Sequence, residues 1–177
     1  RFQEQYSKSV TKEDIFFYVY GILHSKDYKS TFANDLKKML PRIPLVDKPS
    51  DFKAFVKAGR ELADLHLNYE TQKPLKGLKI VGANSKYYTV EKMKFFNKED
   101  KTVILYNPLI RIENIPKQAY EYIVNGRSAI EWVMEQYQVD TDKDSHITND
   151  PNDWSKEHNN PSYILDLLLS VITVSVK

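Results

Sequence analysis

The sequence contains no cysteine, and this absence excludes disulfide bonds, thiol nucleophiles and cysteine-based zinc sites. Only five of the 177 residues are glycine, and they form no phosphate-binding or cofactor-binding loop pattern. The longest apolar run, residues 167–176, is interrupted by serine and threonine and is too short to span a bilayer. The first residues also lack the apolar core of a signal peptide. We therefore expect a cytoplasmic chain without a membrane partner.

Residue types that often carry catalysis are present, but they are not arranged for it. The four histidines lack the spacing of metal ligands. Five aspartates between residues 140 and 153 suggest calcium, but the glycine and the closing glutamate of an EF-hand loop are missing. Glu91 and Lys92 lack the second carboxylate that a two-metal nuclease site needs. We expect no catalytic, cofactor-binding or metal-binding residue, and no enzyme activity of this chain by itself.

Helical periodicity at both ends of the chain flanks a central region of strand-like sequence. Helices are predicted over residues 12–24, 27–39, 51–69, 117–124, 128–137 and 161–174. Strands are predicted over 87–96, 102–106 and 109–113, with 78–81 as a further candidate. This order predicts an α+β fold with N-terminal helices, a central antiparallel sheet of three or four strands, and C-terminal helices.

Three local signals support particular elements. Ser128 followed by Glu131 is a capping box, which predicts a helix start. Asn125-Gly126 can end the preceding helix in the left-handed conformation. Gly59 on the apolar face of the third helix indicates that another backbone passes close to it.

The length of 177 residues suits one domain with a substantial core. Residues 1–10 are predicted to be the remnant of a linker, and residues 11–177 to form a single domain. Because the chain begins at Arg1, we expect it to be a fragment of a larger enzyme.

Positive charge is concentrated in the strand-like region. Residues 71–111 hold nine Lys/Arg against three Asp/Glu, whereas residues 112–177 hold five against eleven. A basic block with interleaved aromatic rings is typical of a nucleic-acid surface, although an ordinary lysine-rich sheet face has the same composition. The candidate DNA-binding residues are Lys86, Tyr87, Lys92, Lys94, Asn97, Lys98, Arg111 and Arg127.

Three of these candidates have predicted roles. Lys92 and Lys94 are two apart on a predicted strand, so both are expected on one face, where they can follow a phosphate track. Arg111 is the best single candidate for a contact to a base.

Several long segments resemble one family in order along the chain. They are DIFFYVYGILHS (14–25), AGRELADLHLNYE (58–70), YYTVEKMKF (87–95), IPKQAYEYIVNGRSAIEWVMEQYQVDTDKDSHITNDPNDW (115–154) and YILDLLLSVITVSV (163–176). They are similar to the C-terminal specificity, or target-recognition, region of Type ISP single-polypeptide restriction–modification enzymes.

The resemblance implies sequence-specific recognition of double-stranded DNA. By this likeness, the chain positions an adenine methyltransferase and an ATP-dependent nuclease that lie elsewhere in the full polypeptide. The methyltransferase and helicase-like domains of the same polypeptide are its implied partners. Those domains are expected to bind S-adenosylmethionine, ATP and Mg²⁺. The alternative is a scaffold that packs on the methyltransferase and the motor without reading bases.

Overall fold

The computed structural model describes the backbone of residues 1–177 and every side chain except that of Val124. The backbone divides into two compact units, Arg1–Leu67 and Asn68–Lys177. The first unit is helical, and the second combines a four-stranded antiparallel sheet with helices. The predicted α+β class, with helices before and after a central sheet, is therefore confirmed. The single domain over 11–177 stays a prediction.

The helical unit contains four helices: α1 (Phe2–Gln5), α2 (Lys12–His24), α3 (Lys26–Thr31) and α4 (Pro49–Leu67). A capping box starts α2, because the Thr11 hydroxyl accepts from the Asp14 backbone N–H at 3.1 Å and the Asp14 carboxylate accepts from the Thr11 N–H at 3.0 Å. The bounds of α2 agree with the predicted 12–24. Each helix that the structure describes is too short or too polar to span a bilayer.

The first ten residues fold onto this helical unit, where a linker was expected. Phe2 and Tyr6 are four apart, so a single turn of α1 places both rings on one side. The Tyr6 ring stacks on Phe52 with a centroid distance of 4.3 Å. The Tyr6 hydroxyl also donates to the carbonyl of Val46 at 2.7 Å. Aromatic burial therefore orders this segment.

The predicted close approach at Gly59 is confirmed. A Cβ on Gly59 would overlap the backbone carbonyl of Phe17 in α2, and a Cβ on Gly21 would lie 2.7 Å from the carbonyl oxygen of Phe55 in α4. The two glycines therefore let α2 and α4 pack with their backbones in contact. The core beside this contact contains Tyr18, which is fully buried.

The predicted helix over 27–39 is wrong in its second half, because α3 ends at Thr31 and residues 32–38 form turns. Thr31 and Asn34 are weak helix formers, which favours an early end. The following chain is held by the Tyr28 hydroxyl, which donates to the carbonyl of Arg42 at 2.9 Å.

The second unit is built on strands β1 (Lys79–Val81), β2 (Lys94–Phe95), β3 (Ile104–Leu105) and β4 (Arg111–Glu113), in the order β1-β4-β3-β2. One row of cross-strand neighbours faces the core and consists of Ile80, Ile112, Ile104 and Phe95. The strands are shorter than predicted, but their number and antiparallel pairing agree with the prediction.

A small hairpin replaces the end of the helix predicted over 117–124. Lys117–Tyr120 forms a 3₁₀ turn, and β5 (Ile123–Val124) then pairs with β6 (Arg127–Ser128). Asn125 and Gly126 between the strands have φ of 49° and 84°, the two positive values that a type I′ hairpin turn requires. Asn-Gly therefore closes a hairpin here, whereas it was predicted to end a helix.

Three helices complete the second unit. Helix α5 (Ala129–Gln136) begins with the predicted capping box, since Ser128 Oγ accepts from the Glu131 N–H at 3.3 Å and the Glu131 carboxylate accepts from the Ser128 N–H at 3.2 Å. The acidic stretch contains a hairpin of β7 (Asp140–Thr141) and β8 (Thr148–Asn149), followed by the unpredicted helix α6 (Asn152–Glu157). The predicted C-terminal helix is confirmed as α7 (Tyr163–Val176), whose Leu168 and Ile172 are fully buried against the sheet.

Candidate nucleic-acid interface

The side of the sheet that faces away from the core carries one cross-strand row with a residue from each strand. This row consists of Val81, Arg111, Leu105 and Lys94. Arg111 and Lys94 therefore share one side, two strands or about 10 Å apart. Lys79 is two residues from Val81 in β1, and Glu113 is two residues from Arg111 in β4. Because side chains alternate along a strand, Lys79 and Glu113 lie on the same side as this row. We call this set of six residues the outward sheet face.

Glu113 partly neutralises the outward sheet face. Its carboxylate lies 3.1 Å from the Lys79 ammonium and 2.6 Å from Nε of Arg111. The hydrogen bond from Lys79 and the nearby charge of Arg111 hold the pKa of Glu113 below its usual range, so the carboxylate is charged at neutral pH. The Arg111 side chain remains 49% exposed. Its guanidinium is therefore available to a ligand, but in competition with Glu113.

Lys92 and Arg127 lie elsewhere, in a groove beside β2 that Lys101 and α5 also line. Arg127 forms an ion pair with Glu135, and its guanidinium lies 5.5 Å from the Trp132 ring centroid. Lys101 forms an ion pair with Glu131 at 2.6 Å. Acidic side chains of α5 therefore compensate two of these three cations.

The prediction that Lys92 and Lys94 share a face of one regular strand is wrong. Val90 and Met93 are both buried although they are three apart, so the alternation of a strand is broken before Lys94. The backbone of this segment instead bonds to groups outside the sheet, for example from the Val139 N–H to the Glu91 carbonyl at 2.8 Å. Both lysines are exposed, but Lys92 lines the groove and Lys94 lies on the outward sheet face.

The remaining candidates occupy two loops. Asn97 and Lys98 are exposed in the turn between β2 and β3, where the Asn97 side chain accepts from the Glu99 N–H at 3.0 Å. Lys86 and Tyr87 line a small pocket against α6. The eight candidates are therefore distributed over the outward sheet face, the groove, the turn and the pocket. Sequence reasoning missed Lys79, because strand alternation can assign it to this face only when the β1–β4 register is known.

The residues of this chain do not fit the cofactors that the family resemblance implies. The described side chains contain no group of three or more residues that could hold a metal ion. Gly21 and Gly59 lie in helices, and the other three glycines lie in separate turns, so the chain has no glycine-rich loop of the kind that binds a nucleotide. No step through S-adenosylmethionine, ATP or Mg²⁺ is assigned to this chain.

The family model for the Type ISP C-terminal specificity domain matches residues 1–167. The chain belongs to this family. The match covers both compact units, from the first helix into α7. A comparison with the curated proteins finds no match.

Three solved structures similar to this specificity domain contain DNA or a DNA substrate mimic. A nuclease-deletion mutant of the Type ISP restriction–modification enzyme LlaGI, in complex with a DNA substrate mimic, has 53% identity and a TM-score of 0.83 over 94% of this chain. The ATP-dependent Type ISP enzyme LlaBIII bound to DNA has 50% identity and a TM-score of 0.85, also over 94%. The DrdV–DNA complex has 31% identity and a TM-score of 0.79 over 99%. The chain spans 13%, 10% and 18% of those chains, respectively.

Proposed function

We propose that this specificity domain recognises a short sequence in duplex DNA for a restriction–modification enzyme. Its task is to position an adenine methyltransferase and an ATP-dependent nuclease that other domains supply. The observation that carries the proposal is the outward sheet face, where Lys79, Lys94 and Arg111 lie on one side of a sheet. The solved relatives of this fold are bound to DNA or to a DNA substrate mimic.

The cations of this face supply two kinds of contact. Lysines such as Lys79 and Lys94 neutralise phosphates, which gives affinity without sequence preference and makes binding depend on salt. Arg111 can donate two hydrogen bonds to the O6 and N7 atoms of guanine in the major groove. Lysines therefore hold the duplex in place, and Arg111 discriminates between bases.

The role of Glu113 provides a test of this proposal. Glu113→Gln removes the carboxylate that holds Lys79 and Arg111, so both cations become available to phosphates. We expect duplex affinity at low salt to increase, and the slope of log K against log salt to steepen by about 0.9 for each added phosphate contact. Both quantities are measured by titrating the intact protein with a labelled duplex of random sequence at several salt concentrations.

Asp144→Asn is the matched control, since it removes the same charge from an exposed turn residue that is distant in sequence from the candidate DNA-binding residues. We expect this control to change the affinity and the salt slope much less. Equal effects of the two variants would show that only net charge matters, and the outward sheet face would lose its role.

A docking scaffold is the second candidate function, and exposed apolar side chains in the helical unit favour it. Phe16, Leu40 and Leu67 are 60%, 88% and 82% exposed. A scaffold predicts that replacing these residues with glutamine impairs assembly with the methyltransferase, while duplex selectivity is unchanged in the protein that still assembles. The recognition proposal predicts that replacing Arg111 with glutamine reduces duplex selectivity and leaves assembly with the methyltransferase unchanged.

The other parts of the functional assignment rest on family membership. S-adenosylmethionine, ATP and Mg²⁺ belong to the methyltransferase and helicase-like domains, which we propose as the partners of this domain within one polypeptide. The cytoplasm remains the expected location, because restriction and modification act on DNA inside the cell.

A further inference from the structure

The hydroxyl of Ser155 is buried without a hydrogen-bond partner among the described residues. Ser155 lies in α6 and is only 5% exposed. A buried hydroxyl without a hydrogen bond is destabilising, so native proteins rarely keep one unless a ligand or a water molecule supplies the hydrogen-bond partner. The position therefore indicates that another molecule supplies the missing partner.

Ser155 lines a half-open pocket of about 140 Å³ between α6 and the segment that begins at Lys86. On the same measure a single water needs roughly 10–15 Å³, so the pocket has room for more than one water-sized group. Lys86 and Lys156 also line the pocket, and Tyr87, which is 47% exposed, lies beside them. The pocket combines a hydroxyl donor with cationic donors, which is the chemistry that binds a phosphate group.

Side-chain hydrogen bonds hold the Lys86 side of the pocket in place. Asn107 Nδ2 donates to the carbonyls of Tyr87 and Thr89 at 2.8 and 3.0 Å. The Tyr106 hydroxyl donates to the carbonyl of Tyr88 at 2.7 Å. Asn152 connects the same segment to α6, because its side chain accepts from the Val90 N–H at 2.9 Å and donates to the Val90 carbonyl at 2.7 Å. The pocket is therefore preorganised, and binding orders little additional backbone.

The two lysines contribute unequally to the charge of the pocket. The Lys156 ammonium is 2.7 Å from Asp153 and 3.7 Å from Asp150, so carboxylates compensate its charge. Lys86 forms no ion pair with any side chain that the structure describes. An anion in the pocket would therefore obtain its charge compensation chiefly from Lys86.

We propose that this pocket binds one phosphate of the DNA backbone. On binding, the buried Ser155 hydroxyl turns towards the pocket and donates to a phosphate oxygen, the Lys86 ammonium compensates the charge, and Asn107 and Asn152 are positioning residues. The proposal rests on the proposed function, because it identifies a phosphate contact away from the outward sheet face. A phosphate contact fixes the register of the duplex without reading its sequence.

The test uses Ser155→Ala and Lys86→Gln in the intact protein, with labelled duplexes of random sequence as the probe. Ser155→Ala is expected to weaken binding about tenfold on all sequences alike, the effect of losing one hydrogen bond to a charged group. Lys86→Gln is expected to reduce the salt slope by about 0.9. Lys143→Gln, which removes the same charge from an exposed turn residue, is the control and should leave affinity nearly unchanged.

A set of duplexes of one fixed sequence that the intact protein binds, each with a single neutral methylphosphonate, identifies the phosphate. The parent should bind one of these duplexes more weakly than the unmodified duplex. The Lys86→Gln variant should bind that duplex and the unmodified duplex equally well, because the methylphosphonate and the substitution remove the same contact. If no position behaves in this way, or if both variants bind like the parent, the pocket holds only water and the inference is wrong. In that outcome a steep salt dependence of the parent would leave the proposed function standing, whereas its absence would remove the proposed function itself.

Discussion

Gly59→Ala is expected to destabilise the helical unit Arg1–Leu67 by about 3 kcal/mol or more, at the upper end of the cost of overpacking. An added Cβ would overlap the carbonyl of Phe17, and the carbonyl belongs to the backbone of α2, so no side-chain rotation relieves the clash. Alanine is a better helix former than glycine by about 1 kcal/mol, which offsets only part of this cost. The helices must therefore separate, and the apolar contacts between them weaken.

Hydrogen exchange measures this effect where it occurs. The variant should lose protection of the backbone amides in α2 and α4, and urea denaturation should give the loss of unfolding free energy. Ala58→Ser is the control, since Ala58 precedes Gly59 but is exposed, and a surface change of this size costs within about 0.5 kcal/mol. A Gly59→Ala protein as stable as the parent would show that the helix backbones are not in contact.

Asn152→Ala is expected to destabilise the second unit, Asn68–Lys177, by about 2–4 kcal/mol. The Asn152 side chain bonds to both the N–H and the carbonyl of Val90, and Asn152 and Val90 are both buried. Alanine leaves these two backbone groups without partners, and each unpaired buried group costs about 1–3 kcal/mol. The segment between Lys86 and Met93 then loses one of its connections to the rest of the fold.

Asn149→Ala provides the control for this change, because Asn149 is exposed in β8. This substitution should change the free energy of unfolding by no more than about 0.5 kcal/mol. Chemical denaturation of both variants gives the comparison. Asn152→Asp is informative as well, because it keeps the acceptor for the Val90 N–H but removes the donor to the Val90 carbonyl. If alanine at position 152 proved harmless, another group would have to satisfy Val90, and the preorganised pocket would lose its support.

Elements whose ends are defined by local chemistry could be predicted from the sequence. The capping boxes at Thr11 and Ser128 place the starts of α2 and α5, because each box uses two side chains three residues apart. Helix α7 follows from its almost continuous apolar sequence. These signals depend on neighbours along the chain, so no knowledge of tertiary contacts was needed.

Elements that depend on distant residues could not be predicted in the same way. Residues 87–93 have the composition of a strand, but their backbone bonds to the side chains of Tyr106, Asn107 and Asn152, which are far along the chain. Asn125-Gly126 fits both a helix end and a hairpin turn, and the pairing of β5 with β6 decides between them.

The candidate interface was predictable in composition and not in arrangement. The basic block predicted which residues carry charge, but only the strand register places Arg111, Lys94 and Lys79 on one face. The acidic partner of Arg111 was equally hidden, although Glu113 is two residues away, because the ion pair depends on the shared face. The orphan hydroxyl of Ser155 had no sequence signal at all.

Selection of bound duplexes from a random pool by the intact protein tests the central claim most directly. We predict that the parent enriches one short sequence. The Arg111→Gln variant should enrich a related sequence in which discrimination at one base pair is relaxed by about 1–3 kcal/mol. A pool that remains random after repeated rounds, although the protein binds duplex DNA, would contradict target recognition by this domain.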